Sequence, residues 1–164
     1  MDPAHLHLLT NHVPVLGTVF GLLTLLFGFV RPNEDIKKFG FLVLVLAAIA
    51  AIPVWLTGDP AQEAAKGLPA VTEAMTDSHE NAALLAFIAL GVTAIIALIG
   101  LLRSRGAKRL SQPVAVLVLV LAVVAGGLMA RAANLGGQIR HTEIRAGYSA
   151  GDVIQSAEAR NHDD

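Results

Sequence analysis

Four stretches free of charged residues, Pro14–Val30, Phe39–Thr57, Asn81–Leu102 and Pro113–Ala130, take up nearly half of this 164-residue chain. A helix needs roughly 20 apolar residues to cross about 30 Å of hydrocarbon, at about 1.5 Å per residue. The second and third stretches meet that length outright. The first and fourth are shorter, but both run into sequence that can stay helical beyond the lipid. Apolar residues make up 54% of the chain and its mean hydropathy is +0.62, so a soluble bundle of this sequence would have to expose large apolar faces to water. The fold expected is all-α, an integral membrane four-helix bundle. Its spans cover about 13–30, 37–57, 80–102 and 113–131, with helical extensions over 3–12, 69–79 and 131–141. The transmembrane domain thus fills 1–141, and 142–164 reads as a polar C-terminal tail without apolar periodicity.

Charge placement gives an orientation. Arg31, Lys37 and Lys38 lie in the first connection, and Arg103, Arg105, Lys108 and Arg109 in the third. The middle connection, Gly58–Glu80, holds only Lys66, and nothing basic precedes the first span. The positive-inside bias then puts connections one and three in the cytoplasm of a bacterial inner membrane, with both termini outside. Arg131, Arg140, Arg145 and Arg160 follow the last span but are spread among acidic residues. The net charge of −1 offers no electrostatic case for nucleic acid. The first span lacks the basic flank and cleavage pattern of a secretory signal. Cysteine is absent, which excludes disulfides, thiolate ligands, iron–sulfur clusters and covalently attached c-type haem.

Local signals divide the chain further. Asp2–Pro3 reads as a helix cap followed by proline at the first position. Pro14 has no N–H for the Thr10 carbonyl and should interrupt that helix. Asp59–Pro60 can cap a short turn ended by Gly67, and Pro69 can start a helix that runs through Glu80 into span three. Val71, Met75, His79, Ala82 and Ala83 share one helical stripe, which turns His79 inward. Trp55 falls where an interfacial aromatic belt would lie. Gly126–Gly127 permit close helix contact in span four. Arg131, Asn134, Gln138 and His141 form a polar stripe beyond it, and Gly136–Gly137 weaken that extension.

Five of the six histidines fall at one end of such a bundle. His5, His7 and His12 precede span one, His79 opens span three and His141 follows span four. His5 and His12 are seven residues apart, hence on nearly one face and about 10 Å apart along the axis, with His7 pointing elsewhere. Two tiers result, one with His12, His79 and Arg131, the other with His141 and His5 or His7. Imidazoles on facing helices are what a b-type haem needs, together with small residues such as Ala82, Ala83 and Gly17 to leave room for the macrocycle. Arg131, Asn134 and Arg140 could then hold propionates. Three or four imidazoles drawn from His7, His12, His79 and His141 would also suit zinc or copper. Against these stand plainer readings: solvated interfacial histidines, and Arg131 as a snorkelling anchor. The stretches Phe39–Thr57 and Asn81–Leu102 of spans two and three carry no ionisable residue, which speaks against an ion or proton path through the bundle. No phosphate loop, nucleophile elbow or HExxH is present.

The opening His7–Leu8–Leu9–Thr10–Asn11–His12–Val13–Pro14–Val15 resembles the "LHP-x-x-VHFPI" start of the bacterial four-span membrane family DUF2231. The stretch Ala133–Asn134–Leu135–Gly136–Gly137–Gln138–Ile139–Arg140–His141 is similar to that family's "GYLGGELVYxHG" ending of span four. His79 opening span three and Thr57–Gly58 ending span two also fit, so the resemblance covers about residues 5–141. The chain departs from the pattern at Asn11, His12–Val13 and Ala133. The resemblance implies a membrane b-type cytochrome or a redox partner, and it selects His7, His12, His79 and His141 but not His5.

The expectation drawn from residues and resemblance together is a haem b electron-transfer subunit rather than a stand-alone enzyme, with one or two haems near the outer face. His12 and His79 are the first axial pair, with His7 and His141 as a second. Its partners would be membrane lipid, quinol, an external or membrane electron carrier, and a larger respiratory-type complex. The alternatives are a non-redox interaction subunit, packing through small-residue faces such as Ala47–Ala48–Ala50–Ala51, and a histidine-based zinc or copper site.

Overall fold

The structure, a computed structural model, describes residues 2–67, 71–105 and 109–147. The expectations for Pro69, Lys108 and the tail from 148 onward, with Arg160 and His162, lie outside the described residues.

Six α-helices and one short 3₁₀ turn account for most of the described residues: α1 Pro3–Thr10, α2 His12–Val30, α3 Glu34–Leu56, α4 Gly58–Lys66, α5 Glu73–Arg103 and α6 Gln112–Arg140, then Thr142–Ile144. Among the described residues, four helices are long and apolar enough to cross a membrane: α1 and α2 taken together, α3, α5 and α6. α5 and α6, at 31 and 29 residues, exceed the roughly 20 a bilayer requires, so each carries about two to three turns beyond it.

Each long helix buries a stripe in steps of three and four. In α2 it is Pro14, Thr18, Gly21, Leu25 and Gly28. In α6 it is Ala115, Val118, Ala122, Ala125, Met129 and Ala132. α2 packs on α3 and α6, and α5 on α6 and α3, which closes a four-helix ring. Large apolar side chains such as Phe20, Phe27, Ile49, Ile88, Ile95 and Val120 point outward. Large apolar residues facing outward, with glycine and alanine at many inward positions, is an arrangement that suits lipid, since hydrocarbon does not drive apolar faces together and helices adhere by close packing. The chain is a multi-pass membrane protein.

The half of the core nearer α1 and α4 is built largely of alanine: Ala47, Ala51, Ala82, Ala86, Ala125 and Ala132, with Leu90 and Met129. The other half holds Leu25, Phe41, Leu44, Leu110 and Val118. At that basic end Glu34 accepts from the Leu110 backbone N–H at 3.0 Å and from Lys37 Nζ at 2.9 Å. Lys38 Nζ donates to the Ser104 carbonyl at 3.0 Å, capping the end of α5. These bonds tie the connection before α6 to the start of α3.

α1 lies against α4 and α3, and α4 also touches α5, so the two short helices cover the end opposite the basic one. α1 is capped by Asp2, whose side chain accepts from Ala4 N–H at 3.2 Å. It ends at Thr10, and Asn11 keeps right-handed helical dihedrals before α2 begins. The interruption expected from Pro14 therefore falls at Asn11 and costs no change of phase.

The tightest approach joins α2 to α3. A Cβ on Gly40 would stand 2.9 Å from the Leu25 nitrogen and 3.0 Å from its Cα, and backbone cannot step aside. Gly40→Ala should destabilise the protein by about 1–3 kcal/mol through overpacking. Gly91→Ala, with nothing within 4 Å of the added atom, should be neutral or stabilising. Unfolding in mixed micelles measures both.

Candidate functional site: a pair of pinned imidazoles

The buried stripe of α2, continued upward in the same steps of four and three, passes through Asn11 and reaches His7. Because Asn11 stays helical, His7 inherits the inward phase of the span below it. His5 and His12 sit off that phase and are exposed. The face assignment from the His5–His12 spacing is thereby reversed: His7 is the inward histidine of the N-terminal segment. Spacing between two histidines fixes only their mutual angle, whereas the core stripe fixes which angle faces the bundle.

His79 lies on the inward stripe of α5, between Thr76 and Ala82, and is half-buried. Its Nδ1 bonds the Ala132 carbonyl of α6 at 3.0 Å. A carbonyl oxygen only accepts, so Nδ1 carries the hydrogen. The ring reaches that carbonyl over Gly136, where an added Cβ would fall 2.9 Å from Cε1 and 3.1 Å from Nδ1. Gly136 is one turn beyond Ala132 on the same buried stripe.

His7 repeats the arrangement on another pair of helices. Its Nδ1 bonds the Val54 carbonyl at 3.0 Å, with the Thr57 hydroxyl 3.4 Å away. Val54 belongs to the last turn of α3, where carbonyls have no intrahelical N–H to accept from. Neither Nε2 has a hydrogen-bond partner among the described residues.

The other residues singled out from the sequence stand apart from this pair. His12 is exposed. His141, just past α6, bonds Glu143 Oε1 through Nδ1 at 2.9 Å with both side chains exposed. The Glu143 carboxyl is held below the usual range by its own backbone N–H first and by His141 second. Arg131, Asn134 and Arg140 are exposed; Asn134 Oδ1 accepts from Gln138 Nε2 at 2.7 Å. Ala132, the neighbour of Arg131, holds the inward position at that level. The room assigned to Gly17 is filled by α3, since a Cβ there would lie 2.8 Å from Ala47 Cβ. A groove of about 310 Å³, lined by Ala74, Met75, Ser78, Leu135 and Gln138, lies between the extensions of α5 and α6. Its lining residues neighbour His79 and Gly136 in sequence. Among the described residues no three His, Asp or Glu side chains converge as a metal site.

Val54, Ala132 and Gly136 were invisible as site residues in the sequence, because two act through backbone and the third through a missing side chain. Gly136 alone left a signal: it falls where the inward stripe of α6 continues.

The sequence profile described as "Predicted membrane protein (DUF2231)" matches residues 3–143. The chain belongs to the DUF2231 family. No curated protein and no solved structure matches it. The DUF2231 match runs from the start of α1 to the 3₁₀ turn beyond α6, and so contains the whole bundle and both imidazoles.

Gly136→Ala should push the His79 ring off Ala132 and lower stability by about 1–3 kcal/mol, the cost of stranding a buried polar group. Gly127→Ala, on the same helix with open space around it, should not. Imidazole ¹⁵N shifts of His79 would report the loss of the pinned Nδ1–H form in the first variant alone.

Proposed function

We propose that this DUF2231 protein is a histidine-ligated haem b electron-transfer subunit of the bacterial inner membrane, with both termini and the imidazole pair toward the outer face. One observation carries the reading: His7 and His79, at the same end of the bundle, each have Nδ1–H fixed on a helix carbonyl and Nε2 without a partner among the described residues. Metal-bound histidines commonly donate their other ring N–H to a carbonyl or carboxylate, which sets tautomer and ring orientation. Two such imidazoles from different helices match the axial demand of a b-type haem. They fall short of the three or four protein ligands of a zinc site, so haem is favoured over zinc or copper.

The roles follow from position. His7 and His79 would hold the iron through Nε2, and the Val54 and Ala132 carbonyls would keep both rings from turning. Arg131 and Arg140 are the α6 cations that propionates could meet, with Asn134 beside them. A bound haem supplies reversible one-electron chemistry, which suits transfer between quinol and an external carrier or partner subunit. The uncharged stretches Phe39–Thr57 and Asn81–Leu102 do not oppose this, because electrons need no polar path.

A second reading is favoured by the same hydrogen bonds. Each imidazole already joins two helices, His7 linking α1 to α3 and His79 linking α5 to α6, as a non-redox interaction subunit would require.

A pyridine haemochrome assay on protein purified from haem-supplemented cells separates the two. The haem reading expects a Soret band that disappears in His7→Ala and in His79→Ala and survives in His12→Ala. Colourless protein, with the first two variants only less stable, would leave the structural reading standing.

A further inference from the structure

At the end of the bundle opposite the imidazoles, the basic side chains of the described residues divide by type. Both lysines are committed inside the fold. Lys37 Nζ lies 2.9 Å from Glu34 Oε1 and 5.1 Å from the centre of the Phe29 ring, with its side chain only 7% exposed. Lys38 Nζ donates to the Ser104 carbonyl at 3.0 Å. The arginines are the reverse: Arg31, Arg103, Arg105 and Arg109 are exposed, and none has a hydrogen bond or ion pair among the described residues. Glu34 is already occupied by Lys37 and by the Leu110 N–H. Asp35 is then the one remaining carboxylate of these connections to set against four guanidinium groups.

The packing gathers these arginines around the first turns of α3. Glu34 and Lys38 are one helical turn apart, about 6 Å between Cβ atoms. Glu34 holds Leu110, which follows Arg109, and Lys38 holds Ser104, which stands between Arg103 and Arg105. Arg31 ends α2 just before α3 begins. Beside this cationic rim the outward surface is apolar. Phe27 and Val30 on α2, Phe39 on α3, and Ile99 and Leu102 on α5 are 43–69% exposed.

We propose that this rim binds anionic phospholipid, its phosphodiester met by the arginines and its acyl chains laid along Phe27, Val30, Phe39 and Leu102. Guanidinium forks match phosphate oxygens in pairs, which an ammonium does not, and basic surface beside a span attracts anionic lipid. A free phosphate would use the rim and leave the apolar wall beside it unused. A zwitterionic lipid would bring its own cation to the same four guanidinium groups. Anionic headgroup and apolar chains together satisfy both surfaces.

The inference depends neither on haem nor on which leaflet this end meets. Full-length protein would be reconstituted in phosphatidylcholine vesicles carrying a trace of spin-labelled phosphatidylglycerol or, separately, spin-labelled phosphatidylcholine. The motionally restricted part of the electron paramagnetic resonance spectrum reads the lipid held at the protein surface. The glycerol lipid should be preferred by about fivefold or more. Replacing all four residues, as Arg31→Gln, Arg103→Gln, Arg105→Gln and Arg109→Gln, should bring the ratio close to one. The unfolding temperature in phosphatidylcholine should not move, since these side chains bond nothing in the fold. Equal restriction of the two labels by the wild-type protein would overturn the proposal and leave the rim to an acidic protein surface. A preference that survives in the quadruple variant would overturn it too, by placing the lipid elsewhere. So would a preference abolished by excess inorganic phosphate at matched ionic strength, which would make the free anion sufficient.

Discussion

Close packing of small residues is the interaction on which this molecule depends. In water a bundle is held together by the exclusion of its apolar faces; in hydrocarbon that force is absent between helices. The chain instead brings backbones close, Gly17 against Ala47 and Gly40 against Leu25, so that many weak dispersion contacts add up. Buried hydroxyls do not disturb this, because Thr18 and Thr93 bond carbonyls one turn back on their own helices at 2.7 Å. Among the described residues, side-chain hydrogen bonds between elements of the bundle fall at its two ends: Glu34 and Lys38 at one, His7, His79 and the Gln62–Asp77 pair at the other.

That confinement gives the histidine end its character. The alanine-rich half of the core holds α5 and α6 close enough for a ring on one to reach a backbone carbonyl on the other. The ring then needs a glycine beneath it, and Gly136 supplies the place. The same logic applies at α3, whose final turn offers the Val54 carbonyl, shared there between the Thr57 hydroxyl and His7 of α1. Both imidazoles are thus placed by the termination and packing of helices, with no charged partner within hydrogen-bonding range.

The spans were legible in the sequence because charge-free length is a direct physical requirement of lipid. The inward placement of His79 was legible too, since Val71, Met75 and Ala82 gave its stripe. The inward histidine of the first segment was not, and the reason is one of phase. Pro14 suggested that the helix above it was a separate element, which left the His5–His12 spacing as the guide. Asn11 in fact carries the helical twist across the junction, and the stripe Leu25–Gly21–Thr18–Pro14 extends to His7. Backbone partners such as Val54 and Ala132 leave no mark of residue type, so no reading of side chains could have found them.

A pinned imidazole is worth distinguishing from a merely buried one. Hydrogen bonding of Nδ1–H to a carbonyl removes the ring's tautomeric freedom and increases electron density at Nε2, so it favours both a structural clip and a ligand. The clip alone would be satisfied by one ring wherever two helices meet. Two rings, each with its hydrogen fixed on a different helix, His7 on α3 and His79 on α6, leave two Nε2 atoms without a partner among the described residues.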